Sequence, residues 1–261
     1  EQAIALALYF DQIGASVAAV LDADDNPVPY NSTLGTDQVY VDDDWTGLTA
    51  GAGVQMPGAD EGSYLMFGLN AFATVQEGVN AVEENGTVYV LSGTYTEQVE
   101  VSRAISIEGY VEDDGDTEAP EAGAYADAPV IMGFANMPLS RVADGNVDKP
   151  IFYIHDAEWV SIYNVIVDGD LQGNTNNRYH GVGAWDESVY LANMTIVNVQ
   201  DDPLSGAQHG NGVYVRNEKD EESPEVYIER CDISNFQKNG ITVLGATTYA
   251  SIEYNQVTGS G

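Results

Sequence analysis

Positive charge is what this chain most lacks. Its 261 residues carry eight lysines and arginines against 42 aspartates and glutamates, a formal net charge of −34 at neutral pH. A surface that acidic repels phosphate backbones, which excludes nucleic acid as a partner. It repels anionic polysaccharides as well, unless a divalent cation bridges the two. The excess suits a chain that lives in high salt or binds Ca²⁺, because counterions screen the self-repulsion, so stability is expected to rise with salt or added Ca²⁺.

Cysteine is nearly absent. Cys231 stands alone, which excludes an intramolecular disulfide and any cysteine-rich metal site. It matches the place of Met194 in the preceding repeat and reads as a small buried hydrophobe. Long apolar runs are missing too. The opening Glu1–Phe10 has no basic leader and is far too short to cross a bilayer, and no other segment reads as a membrane span. Glycosylation triplets begin at Asn31, Asn85 and Asn193, a pattern that arises by chance in a chain rich in Asn and Thr. With 44% apolar residues, the chain can still bury a large core as a single all-β unit.

What is present is a repeat. His180-Gly181-Val182-Gly183-Ala184, Asn211-Gly212-Val213-Tyr214-Val215 and Asn239-Gly240-Ile241-Thr242-Val243 are variants of one phrase, with the leading glycines 31 and 28 residues apart. After each comes a second alternating run: Val189-Tyr190-Leu191, Val226-Tyr227-Ile228 and Ala250-Ser251-Ile252. Val160-Ser161-Ile162 opens that series one turn earlier. A period of this length with apolar alternation inside each unit is how a stacked β-solenoid reads. Val182, Val213 and Ile241 should then stack inward, with Trp185, Arg216 and Leu244 in one outward column and Gly183, Tyr214 and Thr242 in another. Tyr163, Tyr190 and Tyr227 are expected to align on the next sheet. Asn211 and Asn239 suit a tight turn whose side-chain amides ladder between coils.

Elsewhere the pattern changes. Phe72, Val75, Val79 and Val82 have helical spacing, with Thr74 near the N-cap and Gly86 as the stop, which predicts a helix near 72–84. Val39–Val41 reads as a strand followed by a glycine-rich loop from Gly47 to about Gly62. Strands are expected over Thr87–Leu91, Gln98–Val101, Ile105–Ile107, Val130–Met132 and Ile151–Ile154. Residues 111–129 form an acidic insertion, and 168–180, 200–211 and 217–224 interrupt the repeats.

The run from Ala71 through the helix, then Gly86-Thr87-Val88-Tyr89-Val90-Leu91-Ser92-Gly93-Thr94-Tyr95-Thr96-Glu97-Gln98-Val99-Glu100-Val101 and Ile105-Ser106-Ile107-Glu108-Gly109, resembles the opening of pectin-lyase-like right-handed parallel β-helices. The likeness covers about 40 residues closely, and the later repeats agree with it. Pectinesterases and NosD-like surface β-helix proteins share this opening. The resemblance implies an all-β right-handed parallel β-helix with a helix capping the first coil, and leaves the activity open. Pectinesterases need two buried aspartates and oxyanion-stabilising glutamines. Here Lys238 stands where the first aspartate belongs, and no Asp-Phe-Ile-Phe-Gly phrase follows. Polygalacturonase-type hydrolases use paired aspartates and a Gly-His-Gly on neighbouring coils, whereas Asp201-Asp202 and His209-Gly210 fall within one excursion.

A lyase would need a base and a cation. Arg178, His180, His209 and Arg216, with Tyr179, are the catalytic candidates. Asp168, Asp170 and Asn174 supply oxygens at short intervals as Ca²⁺ ligands, without full EF-hand spacing. Trp185, Tyr214, Tyr190 and Tyr227 offer flat rings for sugar stacking, or equally for packing under a loop. The reading is an extension over 1–35 and a β-helix over 36–261, extracellular, with a structural, assembly or glycan-contacting role and no catalysis of its own. The alternative is a polysaccharide lyase or glycoside hydrolase. Because the repeats stop in mid-coil at Gly261, self-association through residues 1–10 or the last coil is expected.

Overall fold

The computed structural model describes residues 36–59, 63–111, 121–143, 146–219 and 222–260, together with a short antiparallel backbone pair, Val20–Leu21 and Pro27–Val28. Residues 1–10, and with them the proposed assembly segment, lie outside the described residues.

Backbone pairing organises everything from Gln38 onward. Eight strands form a first sheet, in the spatial order Ala71–Phe72, Gln38–Val41, Thr87–Val90, Ile105–Gly109, Trp159–Tyr163, Ser188–Ala192, Glu225–Glu229 and Tyr249–Glu253. A second sheet stacks Thr94–Thr96, Val130–Met132, Ile166–Asp168, Thr195–Val197, Asp232–Ser234 and Gln256–Thr258. A third joins Val99–Val101, Asn146–Ile154, Tyr179–Trp185, Asn211–Arg216 and Asn239–Leu244, with Arg141–Ala143 antiparallel on its edge. From Thr87 the chain visits first, second and third sheet in turn and then begins again. Each strand pairs in parallel with its counterpart one circuit later. Among the described residues the architecture is all-β, with stacked parallel sheets, one α-helix and no closed barrel.

Because the pairing is parallel and in register, like stacks on like. Val88, Ile107, Ile162, Leu191, Ile228 and Ile252 form one inward ladder. Tyr95, Ile131, Val167, Ile196, Ile233 and Val257 form a second. Val99, Phe152, Val182, Val213 and Ile241 form the third, as the repeated phrases predict. Most of these side chains are wholly buried, and each wholly buried one contributes about 1.5–3 kcal/mol of apolar transfer. Cys231 is buried beside this core, one circuit below Met194, and burial first of all pushes its thiol up to about 12.

Corners repeat as well. Between first and second sheet, Asn164, Asn193, Arg230 and Tyr254 occupy the same position in successive circuits, all with φ between 50° and 58°. Asparagine adopts this left-handed conformation readily, and the two later residues take it under the constraint of the stack.

The helix runs over Val75–Ala81, shorter at both ends than its spacing predicts, with Thr74 as N-cap through its hydroxyl to the Glu77 N–H. The Glu97 carboxylate accepts from the N–H groups of Val75 and Gln76 at 2.8 and 2.9 Å, which satisfies two further orphan donors. Glu97 closes the Gly-Thr-Tyr-Thr-Glu phrase, so that phrase ties the turn to the helix. Val75, Gly78 and Val79 are buried; a Cβ on Gly78 would stand 2.6 Å from Val41 Cγ2.

Other expectations need correction. The Gly47–Gly62 loop contains a hairpin partner, Gly53–Gln55, paired with Tyr64–Met66. Thr94–Thr96 is an additional strand, hidden in the sequence because only Tyr95 of its three residues is buried. Tyr190 and Tyr227 pair as expected, but Tyr163 pairs with Ala192, and Ser161 stands above Tyr190. Tyr163 reaches Tyr190 only diagonally, edge-on at 6.2 Å between ring centres.

Gly181 and Gly212 occupy one corner, and each has the next circuit against it. A Cβ on Gly212 would lie 2.5 Å from Ile233 Cγ2 and 2.7 Å from the Gly240 carbonyl oxygen. Gly212→Ala is therefore expected to lower unfolding free energy by about 1–3 kcal/mol. Gly206→Ala, where nothing lies within 4 Å, should stay within about 0.5 kcal/mol of the parent. Urea midpoints of the two variants check this, and equal midpoints would contradict the register.

Candidate functional site

The sequence candidates converge in part on the outer face of the third sheet. The register skips Gly181, and a Cβ there would meet the core side chains of Ile196 and Val199, so Gly181 and Val182 both face inward. His180 is thereby placed on the outer face with Gly183 and Trp185. Asp148 lies one circuit before Arg178. Its Oδ1 accepts from Arg178 Nε at 2.6 Å and from His180 Nε2 at 2.9 Å. Asn239 donates to Asn211 Oδ1 at 3.0 Å, and Asn211 in turn donates to His180 Nδ1 at 3.0 Å. That order of donors fixes the imidazole as neutral, with its proton on Nε2 facing the carboxylate. The amide ladder expected of the two asparagines is present and runs on into the histidine.

His180 is fully enclosed, and its ring stacks on Tyr214 with centres 4.6 Å apart and planes 9° from parallel. Burial holds its pKa below the ordinary value, against the opposing pull of Asp148, and the electrostatic effects of Arg178 and His209 push the same way as burial. Burial would raise Asp148, but hydrogen bonds from His180 and Arg178 outweigh it and hold the carboxyl below its usual range. His180 is thus spent on structure, with both nitrogens engaged.

His209 stands differently. Its Nε2 is 3.8 Å from Asp201 Oδ1, beyond hydrogen-bonding reach, and both His209 Nδ1 and Asp201 Oδ1 are buried without a partner among the described residues. Asp201 is held by Ser205, whose hydroxyl donates to Oδ2. The 200–211 excursion therefore folds the aspartate and histidine toward each other, although seven residues separate His209 from Asp202. Arg178, His180 and His209 line one cavity of about 290 Å³ together with Lys238. Arg216 does not line it, and its Nε lies 3.2 Å from Glu218.

The aromatic candidates separate into two groups. Trp185 and Tyr214 point outward from the sheet, yet they are only 2% and 5% exposed. The 133–143 excursion folds back over this face and packs Leu139 against Tyr153, Trp185 and Tyr214, which removes these two rings from the accessible surface. Tyr190 and Tyr227 lie on the outer face of the first sheet, within a longer row. Tyr227 stands 6.1 Å from Trp159 and 5.9 Å from Tyr249, and Trp159 and Tyr249 are 40% and 58% exposed. Tyr163, Tyr190, Ser161 and Glu108 line an adjoining groove of about 650 Å³, and Tyr125 closes its side. Tyr125 is held there by its N–H on Asn164 Oδ1, within a segment that also bonds Thr195 and Arg230. The Tyr190 hydroxyl donates to Glu229, which with burial pushes its pKa up to about 12. Glu108 is raised by burial.

The oxygens proposed for Ca²⁺ hold their own loop together. Asp168 Oδ1 accepts from the Asp170 N–H and from Asn198, both at 2.8 Å. Asp170 accepts from Gln172, and Asn174 Oδ1 accepts from the Asp202 N–H. Among the described residues, no three His, Cys, Asp or Glu side chains are grouped closely enough to hold a metal ion, and no helix is long and apolar enough to cross a membrane. No protein family, curated protein or solved structure matches the chain.

His180 generates a pH prediction. Its folded-state pKa is depressed, so the unfolded chain binds the extra proton as pH falls through about 6.5, and stability is lost in that direction. Glu97 and Glu108 carry raised values and act with the opposite sign. The informative quantity is therefore the difference between parent and His180→Gln. The parent should lose more thermal stability than the variant between pH 7.5 and 5.5, and parallel pH profiles would contradict a neutral buried His180.

Proposed function

We propose that the chain is a right-handed parallel β-helix of the pectin-lyase-like kind and that it works outside the cell as a glycan-contacting surface. The right hand is supported by the general rule that parallel crossovers between strands of one sheet are right-handed in about 98% of cases. The observation that carries the functional reading is the aromatic row on the first sheet, Trp159, Tyr163, Tyr190, Tyr227 and Tyr249, beside a groove with hydroxyl and carboxyl groups in reach. Tyr190 and Tyr227 share one outward column on successive strands about 4.8 Å apart, and Trp159, Tyr163 and Tyr249 flank it at diagonal positions, so the rings spread over several strands, which matches an extended ligand better than a compact one. Flat rings cover the apolar faces of sugars, and the Tyr, Ser and Glu groups bond their hydroxyls.

Binding is favoured over turnover by the state of the cationic cluster. His180 has both nitrogens occupied, Arg178 is paired with Asp148, and Arg216 lies beside Glu218. A general base needs an accessible lone pair near the reacting atom; an arginine offers none, and of the two candidate histidines only His209 has a ring nitrogen unpartnered among the described residues.

Affinity electrophoresis through gels containing neutral or acidic polysaccharides tests the reading. Migration should be retarded in at least one neutral polysaccharide. Tyr190→Ala with Tyr227→Ala should weaken that retardation at least fivefold, about 1 kcal/mol. Unchanged migration on every polysaccharide, or retardation indifferent to both substitutions, would reject it. Release of reducing ends or unsaturated products would move the assignment to a hydrolase or lyase.

A further inference from the structure

We infer that the cavity between Arg178, His209 and Lys238 on the third sheet is a site for a small oxyanion, a planar carboxylate or a tetrahedral sulfate or phosphate. The inference is independent of the glycan reading, which rests on a different sheet.

Composition makes this cavity unusual. The chain has 42 acidic residues and eight lysines and arginines, yet two of those eight line one cavity of about 290 Å³ with His209, and among the described residues no carboxylate lines it. Gln208, Asn211 and Asn239 supply amide groups to the same wall. Arg178 uses only Nε toward Asp148, which leaves its two terminal nitrogens without partners among the described residues, in the planar fork that suits an oxyanion. The Lys238 ammonium is likewise without a partner among them. The nearby carboxylates are accounted for: Asp148 lies behind Arg178 and His180, and Asp201 stands on the Nε2 side of His209, 3.8 Å away, leaving Nδ1 as the buried unpartnered nitrogen.

The overall charge of −34 does not forbid such a site. At physiological salt, charges more than about 8 Å apart are largely screened, so the groups at the cavity wall decide the local sign. The volume falls at the lower end of small-molecule pockets, which suits one small anion with its waters rather than a polymer.

The test uses the full chain in sodium chloride at about 0.15 M, where nonspecific attraction is screened. Sodium sulfate, phosphate and acetate are titrated separately while the imidazole C–H signals are followed by NMR, with His209 assigned through His209→Asn. At least one anion should shift the His209 signals saturably. Lys238→Gln, a change at an exposed position, should weaken that binding at least tenfold, and Lys238→Arg should retain most of it. Saturation by sulfate or phosphate alone identifies a tetrahedral ligand, and saturation by acetate alone a carboxylate. Shifts that track ionic strength without saturating, or equal affinity in Lys238→Gln, would overturn the site.

Discussion

Hydrogen bonding between successive circuits is the constraint on which this molecule depends. No circuit satisfies its own backbone N–H and C=O groups, so each borrows partners from the circuits before and after it. Parallel pairing in register then forces residues at equivalent places into contact. The three apolar ladders, the column of Gly181, Gly212 and Gly240, and the left-handed corners at Asn164, Asn193, Arg230 and Tyr254 are consequences of that one requirement. The helix with its Thr74 and Glu97 caps lies against Gln38–Val41 and Thr87–Val90, the early strands of the first sheet.

With the inward positions committed to the core, chemistry is left to the outward ones, and the two outer faces diverge. The first sheet carries aromatic rings and acids. The third gathers scarce positive charge around Arg178, His209 and Lys238 and covers part of its face with the segment carrying Leu139. Among the described residues no carboxylate lines that cavity, which leaves its cations for a ligand rather than for neutralising the surface. Asp148 and Asp201 stand nearest to it, and the bonds of Asp148 to Arg178 and His180 hold the network behind the cavity.

Legibility followed the range of the interactions. The glycine phrases revealed the stacking of Val182, Val213 and Ile241, because register depends on spacing alone. The Asn211–Asn239 amide bond was readable for the same reason, and so was the Thr74 cap, which is set by neighbours three residues away. Tyr163 was misplaced by two positions, since each short strand must be aligned separately and the sequence marks its start only weakly. The burial of Trp185 and Tyr214 was invisible in their own repeats. It is imposed by Leu139, more than forty residues earlier, in a segment with no periodicity. The approach of Asp201 to His209 likewise depends on how an irregular loop closes, and no spacing rule reports it. In the sequence Lys238 is legible only as a departure from an esterase pattern, and its place beside Arg178 emerges from the stack.

The stacking itself can be measured directly. Thr87 and Ser251 lie 164 residues apart in sequence, in one outward column, linked through Ser106, Ser161, Tyr190 and Tyr227 by five successive strand pairings. At about 4.8 Å per pairing, their backbones stand ~24 Å apart. Nitroxide labels on Thr87→Cys and Ser251→Cys, with the buried Cys231 left unlabelled, give that separation by double electron–electron resonance. A single narrow distribution centred near ~24 Å is the result this architecture predicts. A broad distribution, or a centre displaced by more than two strand spacings, about 10 Å, would contradict it.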